Sequence, residues 1–362
     1  MAANEKITDI KSKGTTWILG ALASVSLLVL FVLSQWWGRE PEQFNILESA
    51  ISQAGLTAPE LPPEEENTGE HSAHEAASYE ILAADLPLGY TYSATLAHIA
   101  DTLLNKSGGY ITNDVAPPGV LLDNITSWEL GALVMLRDAS TALRNHFSRD
   151  QSQSGEDPDL AIAEPYFYYE PNSWALPATE AEYEKGIQAL HKYMERLRDP
   201  NNATKKAQFY SRADNLWQYT EVVIKRLGDL STRLSSNASS SNFAPGLTES
   251  ELVAANEKTA TKVGWMEIDN VFYEARGASW ALLHILRAIK HDFHDILLDK
   301  RAMRTVDIMI RELENSLTPT MSPMVLDGSG YGLFANYSLS MANYIARANA
   351  AALDLRDIMN RG

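Results

Sequence analysis

Residues 268–296 read IDNVFYEARGASWALLHILRAIKHDFHDI. Ile268, Val271, Ala275, Ala278, Leu282, Ile285, Ile289, Phe293 and Ile296 recur in steps of three and four, the spacing that gathers one stripe on an α-helix. The opposite side is not polar either, because Tyr273, Gly277, Trp280, His284 and His291 repeat at the same spacing. A surface helix needs only one apolar face. Two faces imply a helix at the centre of a bundle, or one whose second face docks a partner through aromatic anchors. The candidate docking residues are Tyr273, Trp280, His284 and His291.

The same periodicity extends in both directions. Leu133, Leu136, Ser140, Leu143 and Phe147 form one stripe, and Tyr183, Ile187, Leu190, Met194 and Leu197 another. Phe209, Ala213, Leu216, Thr220, Val223, Leu227, Leu230 and Leu234 make a longer one. Ala302 to Leu317 and Met341 to Met359 complete the set. Thr179 with Glu182, and Thr248 with Glu251, have capping-box spacing. Breaks fall at Pro117-Pro118-Gly119, at 165–177, at Asp199-Pro200-Asn201, at 235–246 and at 319–330. Only Tyr166-Phe167-Tyr168-Tyr169 reads as extended. The fold class is all-α, a bundle of about six or seven long antiparallel helices, with a sub-division allowed near 235–247. Single glycines interrupt four helical runs, at Gly131, Gly186, Gly228 and Gly277, each costing about 1 kcal/mol relative to Ala. Close helix approach, or a ring such as Trp128, Trp217 or Trp280, would offset that cost.

Trp17 to Trp37, WILGALASVSLLVLFVLSQWW, carries no charge. At 1.5 Å per residue the distance from Trp17 to Trp36 is about 28 Å, close to the roughly 30 Å hydrocarbon thickness of a bilayer, with Trp at both interfaces. The run is longer than the apolar region of a cleaved signal peptide and lacks its small-residue end. Lys6, Lys11 and Lys13 precede the span and Arg39 alone follows closely, so residues 1–16 are expected in the cytoplasm and the rest in the periplasm of a Gram-negative cell. A tail of that size is too short for a signalling module.

The net charge is −17, and 41–80 contributes nine acids with no Lys or Arg. That excess argues against a nucleic-acid partner, which requires a basic surface. Residues 38–78 are expected to be an acidic flexible linker that lets the domain of 79–362 stand off the membrane. The absence of cysteine rules out disulfides and thiolate zinc sites.

Chemistry is thinly signalled. Gly-x-Gly-x-x-Gly, the P-loop pattern, Gly-x-Ser-x-Gly and His-Glu-x-x-His are all absent. His291, His294 and Asp295 are the densest group of metal-type ligands, but they supply too few for a site; His71 and His74 fall in the linker. No metal and no cofactor is expected. A polar pocket between helices would draw on Arg137, Asp138, Arg212, Asp214, Asn215 and Arg276, with Glu274 beside them.

Several runs together resemble one family: Ser148-Arg149-Asp150-Gln151-Ser152-Gln153-Ser154 with Glu156-Asp157-Pro158-Asp159-Leu160, Asp123-Asn124, Trp128-Glu129-x-Gly131, Arg137-Asp138, Trp174, Pro177, Glu182-Tyr183 and Arg212-Ala213-Asp214-Asn215-Leu216. The chain resembles, from about Tyr79 onward and in its apolar span, bacterial membrane-anchored proteins grouped as a domain of unknown function. The resemblance implies a single-pass proteobacterial inner-membrane protein facing the periplasm, and it implies no site residues. The expected role is a non-enzymatic scaffold or adaptor. It would touch the bilayer through Trp17 to Trp37, bind an envelope protein, leave nucleic acid alone and remain compatible with self-association. The alternative is an envelope enzyme or ligand-binding protein with a polar pocket between helices.

Overall fold

The computed structural model describes residues 2–56, 79–81, 83, 85–150, 155–199, 201, 206–235, 267–319, 325 and 337–361, and the backbone alone for 2–16 and 337. Among these residues every regular element is helical. Helix α1 (Ala2–Trp37) contains the apolar stretch Trp17–Trp37, long and apolar enough to cross a membrane and with none of its residues fully buried. It is followed by α2 (Ile46–Gln53), α3 (Tyr90–Asn105), α4 (Asp123–Ala142), α5 (Leu160–Phe167), α6 (Thr179–Arg198), α7 (Ala213–Ser235), α8 (Ile268–Asp292), α9 (His294–Asp299), α10 (Met303–Ser316) and α11 (Tyr337–Asn360). Among the described residues the long helices after α1 are α3, α4, α6, α7, α8, α10 and α11, in keeping with the expected bundle of six or seven. The capping box Thr248/Glu251 and all of the 236–246 loop lie outside the described residues. The helices on either side of that loop share one continuous apolar core.

Helix α8 is the centre of this core, buried along almost its whole circumference. Its closest neighbour is α4, and two of the four interrupting glycines explain why. A Cβ on Gly131 would lie 1.9 Å from the Glu274 carbonyl oxygen, and one on Gly277 would lie 1.9 Å from that of Trp128. The two backbones touch where neither has a side chain. At Gly186 the Phe167 ring takes the space, whereas Gly228 would meet nothing nearer than Asn349 Nδ2 at 3.6 Å.

Three expectations are corrected. Tyr166-Phe167-Tyr168-Tyr169 is not extended: Tyr166 and Phe167 end α5, where Arg137 satisfies the carbonyls of Phe167 and Tyr169 (2.7 and 2.8 Å). Thr179 and Glu182 form no capping box. The preceding loop folds back, so the Thr179 hydroxyl donates to the carbonyls of Glu170 and Ser173 while Glu182 pairs with Lys185. The third concerns the linker. Residues 38–56 are not part of it, because Ile46, Ala50 and Ile51 are buried and Asn45 caps α2 by accepting from the amides of Leu47 and Glu48. Apolar residues at helical spacing outweigh the acids around them. The remainder, 57–78, lies outside the described residues. Chain on both sides of it belongs to the bundle, since Ala54 and Ala83 are buried. Its length therefore does not set the distance between the bundle and α1.

The bundle has two distinct ends. At one, Trp37 rests on Gly108, Glu40 pairs with Arg276, and Arg233 pairs with Glu274. This α1 end gathers the C-termini of α3, α7 and α10 with the N-termini of α4, α6, α8 and α11. At the far end Arg198 donates to the Ala54 carbonyl, the Tyr92 amide to Asp292, and Lys300 to the Arg361 carbonyl.

Candidate functional site

The second face of α8 is covered by the chain itself. Residues 40–51 lie along it from the α1 end. The Arg276 guanidinium holds Glu40 with two parallel bonds (2.6 and 2.8 Å) and also donates to the carbonyls of Ser316, Leu317 and Thr318 at the end of α10. One buried cation thus ties three segments. Next, the Trp280 indole N–H donates to the Glu42 carbonyl (3.0 Å), and Arg287 donates to Gln43 and Glu314. Phe44 is clamped between two imidazoles, 4.0 Å from the His284 ring and nearly parallel to it (3°), and 3.9 Å from that of His98 on α3. The Phe44 amide donates to His284 Nε2 (3.0 Å), while His284 Nδ1 lies 2.7 Å from the Trp280 carbonyl. That geometry fixes the neutral tautomer with the proton on Nδ1. Ser49 on α2 completes the clamp by bonding His98 Nδ1 (2.8 Å).

His284 has no solvent contact, and burial pushes its pKa down from 6.5 to about 3, with Arg287 and His98 working the same way against the bond to the Trp280 carbonyl. Burial also lowers that of His98, opposed by Asp101. An unfolded His284 would take up a proton below about pH 6.5 while the folded one does not, so the unfolded chain binds more protons in that window. Stability is fully present above about pH 6.5 and falls as the pH drops toward 3, by about 2 kcal/mol between pH 6.5 and 5 for this residue. Unfolding midpoints measured over that range should show a shallower acid slope in His284→Gln, whose amide oxygen can still accept from Phe44.

The anticipated docking face is therefore divided. Trp280 and His284 are buried under residues 42–44, Tyr273 is half-buried near Glu40, which with burial raises its phenol pKa, and His291 is exposed. His291 pairs with Asp292, whose other oxygen accepts from the Tyr92 amide. His294 and Asp295 sit exposed beside each other at 3.5 Å, and no group of three metal-type ligands occurs among the described residues.

The polar-pocket residues are likewise distributed among separate structural ties. Arg137 caps α5. Asp138 is held by Arg226 on α7 (2.6 and 3.0 Å), and Arg276 by Glu40. Arg212 pairs with Asp214 and with Asp150, and Asn215 donates to the Tyr210 carbonyl. Arg212 and Asp214 share a concave site, an open cleft of about 660 Å³ at the far end whose wall also includes Trp217, Gln218, Lys300 and Asn360. There burial would raise the Asp214 carboxyl, but the Arg212 guanidinium holds it below its ordinary pKa.

Sequence reasoning missed Glu40, Phe44, His98 and the buried pair Lys106–Glu129 (2.6 Å). Glu129 accepts from the amides of Ile111 and Thr112, pinning the loop after α3. Lys106 and Glu129 carry no distinguishing spacing in the sequence, but Phe44, Ile46, Leu47, Ala50 and Ile51 preceded by Asn45 form a legible amphipathic turn.

Fold and site together define a helical-bundle protein with an N-terminal apolar helix, whose following segment is bound into a groove of the central helix. The chain belongs to the family described as "uncharacterized protein conserved in bacteria (DUF2333)", which it matches over residues 10–362. No curated protein and no solved structure matches it.

Proposed function

We propose that this protein is a membrane-anchored scaffold or adaptor of the bacterial envelope, with its span in the inner membrane, its N-terminus in the cytoplasm and its bundle in the periplasm. The observation that carries this reading is the seating of residues 40–51 on α8. A span joined to a free spacer can only tether; a span joined to a segment locked by Arg276, Trp280 and His284 holds the bundle at one height and attitude. Such a mount presents the opposite end to partners, and the cleft around Trp217 is a concave surface there. Lys6, Lys11 and Lys13 before the span support the orientation. Catalysis is disfavoured because most of the candidate acids and bases serve separate structural pairs.

The test is brief crosslinking in native membranes followed by purification of the full-length protein in mild detergent. One stoichiometric envelope protein, lost in Trp217→Glu but retained in an exposed-surface control such as Asp295→Asn, is the expected result. A clean, partner-free protein would contradict the adaptor reading and favour a small ligand in the Arg212/Asp214 cleft.

A further inference from the structure

We propose that the loops at the α1 end of the bundle lie in the interfacial layer of the bilayer that α1 crosses, giving the protein a second lipid contact through Val115, Val120, Leu121, Trp174 and Leu176. The proposal rests on the membrane-anchored reading above. Trp37, the last residue of the apolar stretch, packs on Gly108, so close that a Cβ there would come within 2.6 Å of its ring. The loop after α3 is thereby fixed beside the end of the span. Farther along the same loop, Val115, Val120 and Leu121 are 64%, 54% and 72% exposed.

A second loop is tied to the first. Asn113 Nδ2 donates to the Ser173 carbonyl (2.9 Å) and to Glu180 (2.8 Å), which sets residues 170–178 alongside. That loop presents Trp174 at 65% and Leu176 at 98% exposure. Leu176 also has a φ of 62°, the left-handed region that side-chain-bearing residues rarely adopt. A strained backbone that displays a leucine outward has no return inside the molecule. Lipid supplies one, and tryptophan favours the headgroup level, where Trp36 and Trp37 already sit if the span crosses. Charge further narrows the kind of attraction. Residues 107–122 and 170–180 contain no Lys or Arg, and they include Asp114, Glu170 and Glu180. Insertion would be apolar, and anionic lipid should not strengthen it, because the nearby carboxylates are repelled by an anionic surface.

The cysteine-free chain makes the test direct. Single cysteines L121C, L176C, V25C in the span and N360C at the far end are labelled with an environment-sensitive fluorophore in the full-length protein, which is then reconstituted in phosphatidylcholine vesicles bearing shallow or deep nitroxide lipids. Labels at 121 and 176 should lose about half their emission to the shallow quencher and less to the deep one, with the order reversed at 25 and no loss at 360. Replacing part of the lipid by phosphatidylglycerol should not deepen either label. Labels at 121 and 176 that behave like the one at 360, while 25 is quenched, overturn the proposal and leave the anchor standing. An unquenched label at 25 removes the anchored reading and this proposal together. Shielding that appears only at high protein-to-lipid ratio would assign the patch to a second copy of the chain and overturn the lipid contact.

Discussion

Gly277→Ala is expected to destabilise the protein by about 3 kcal/mol, the upper range for overpacking a core. The added methyl would sit 1.9 Å from the Trp128 carbonyl oxygen, with the Trp128 carbonyl carbon and Cα within 3.0 Å. Those are backbone atoms of α4, so no rotamer change relieves the contact; α4 and α8 must separate. Separation would loosen the Trp128–Trp280 ring contact at 5.2 Å and, through Trp280, the groove that holds residues 42–44. Gly131→Ala should behave alike, because its methyl would meet the Glu274 carbonyl at 1.9 Å. Gly228→Ala should do the opposite. It has room, and replacing a mid-helix glycine there should add roughly 0.5–1 kcal/mol. Thermal melts of the three full-length variants in detergent, followed by circular dichroism, check the signs.

Arg276→Ala is expected to cost about 3 kcal/mol, at the low end for breaking a buried ion pair because Glu40 keeps some solvent contact. Three carbonyls at the end of α10 lose their donor at the same time. Lysine should recover only part of the loss, since an ammonium cannot form two parallel bonds to Glu40 while also reaching Ser316, Leu317 and Thr318. A second readout separates local from global damage. The bond after Arg39 should become more susceptible to trypsin in Arg276→Ala under conditions where the bundle remains folded.

How much of this was legible in the sequence depends on the residue. The helices and the centrality of 268–292 followed from periodicity, because burying stripes at steps of three and four leaves few alternatives. Gly131 and Gly277 were recognisable as positions needing a reason, and close approach proved to be the reason. Gly228 has no such reason in the structure. The second face of α8 reads from the sequence either as the packed side of a central helix or as a docking face for a partner, and in the structure residues 40–51 of the same chain cover it. Counting charge over 41–80 as one block hides Phe44, Ile46, Leu47 and Ile51, which lie at its start among only two of its nine acids, Glu42 and Glu48. Composition averages over a window, while docking depends on which face each residue occupies. Thr179 shows the reverse error: a local motif with the right spacing was overridden by a loop that reached its hydroxyl first. Side-chain pairs such as Lys106–Glu129 and Asp138–Arg226 join residues distant in sequence or lacking a pattern, and only the fold brings them together.

Residues 40–51 are bound to the bundle rather than merely connected to it. The most direct test of that binding is to insert a protease site between residues 64 and 70, cleave the purified full-length protein in detergent, and recover the N-terminal fragment by a tag. The bundle should come with it in near-equal amount from the wild-type background, and should be lost when Phe44→Ala and Arg276→Ala are combined. A wild-type bundle that separates from the N-terminal fragment as soon as the chain is cut would contradict the account.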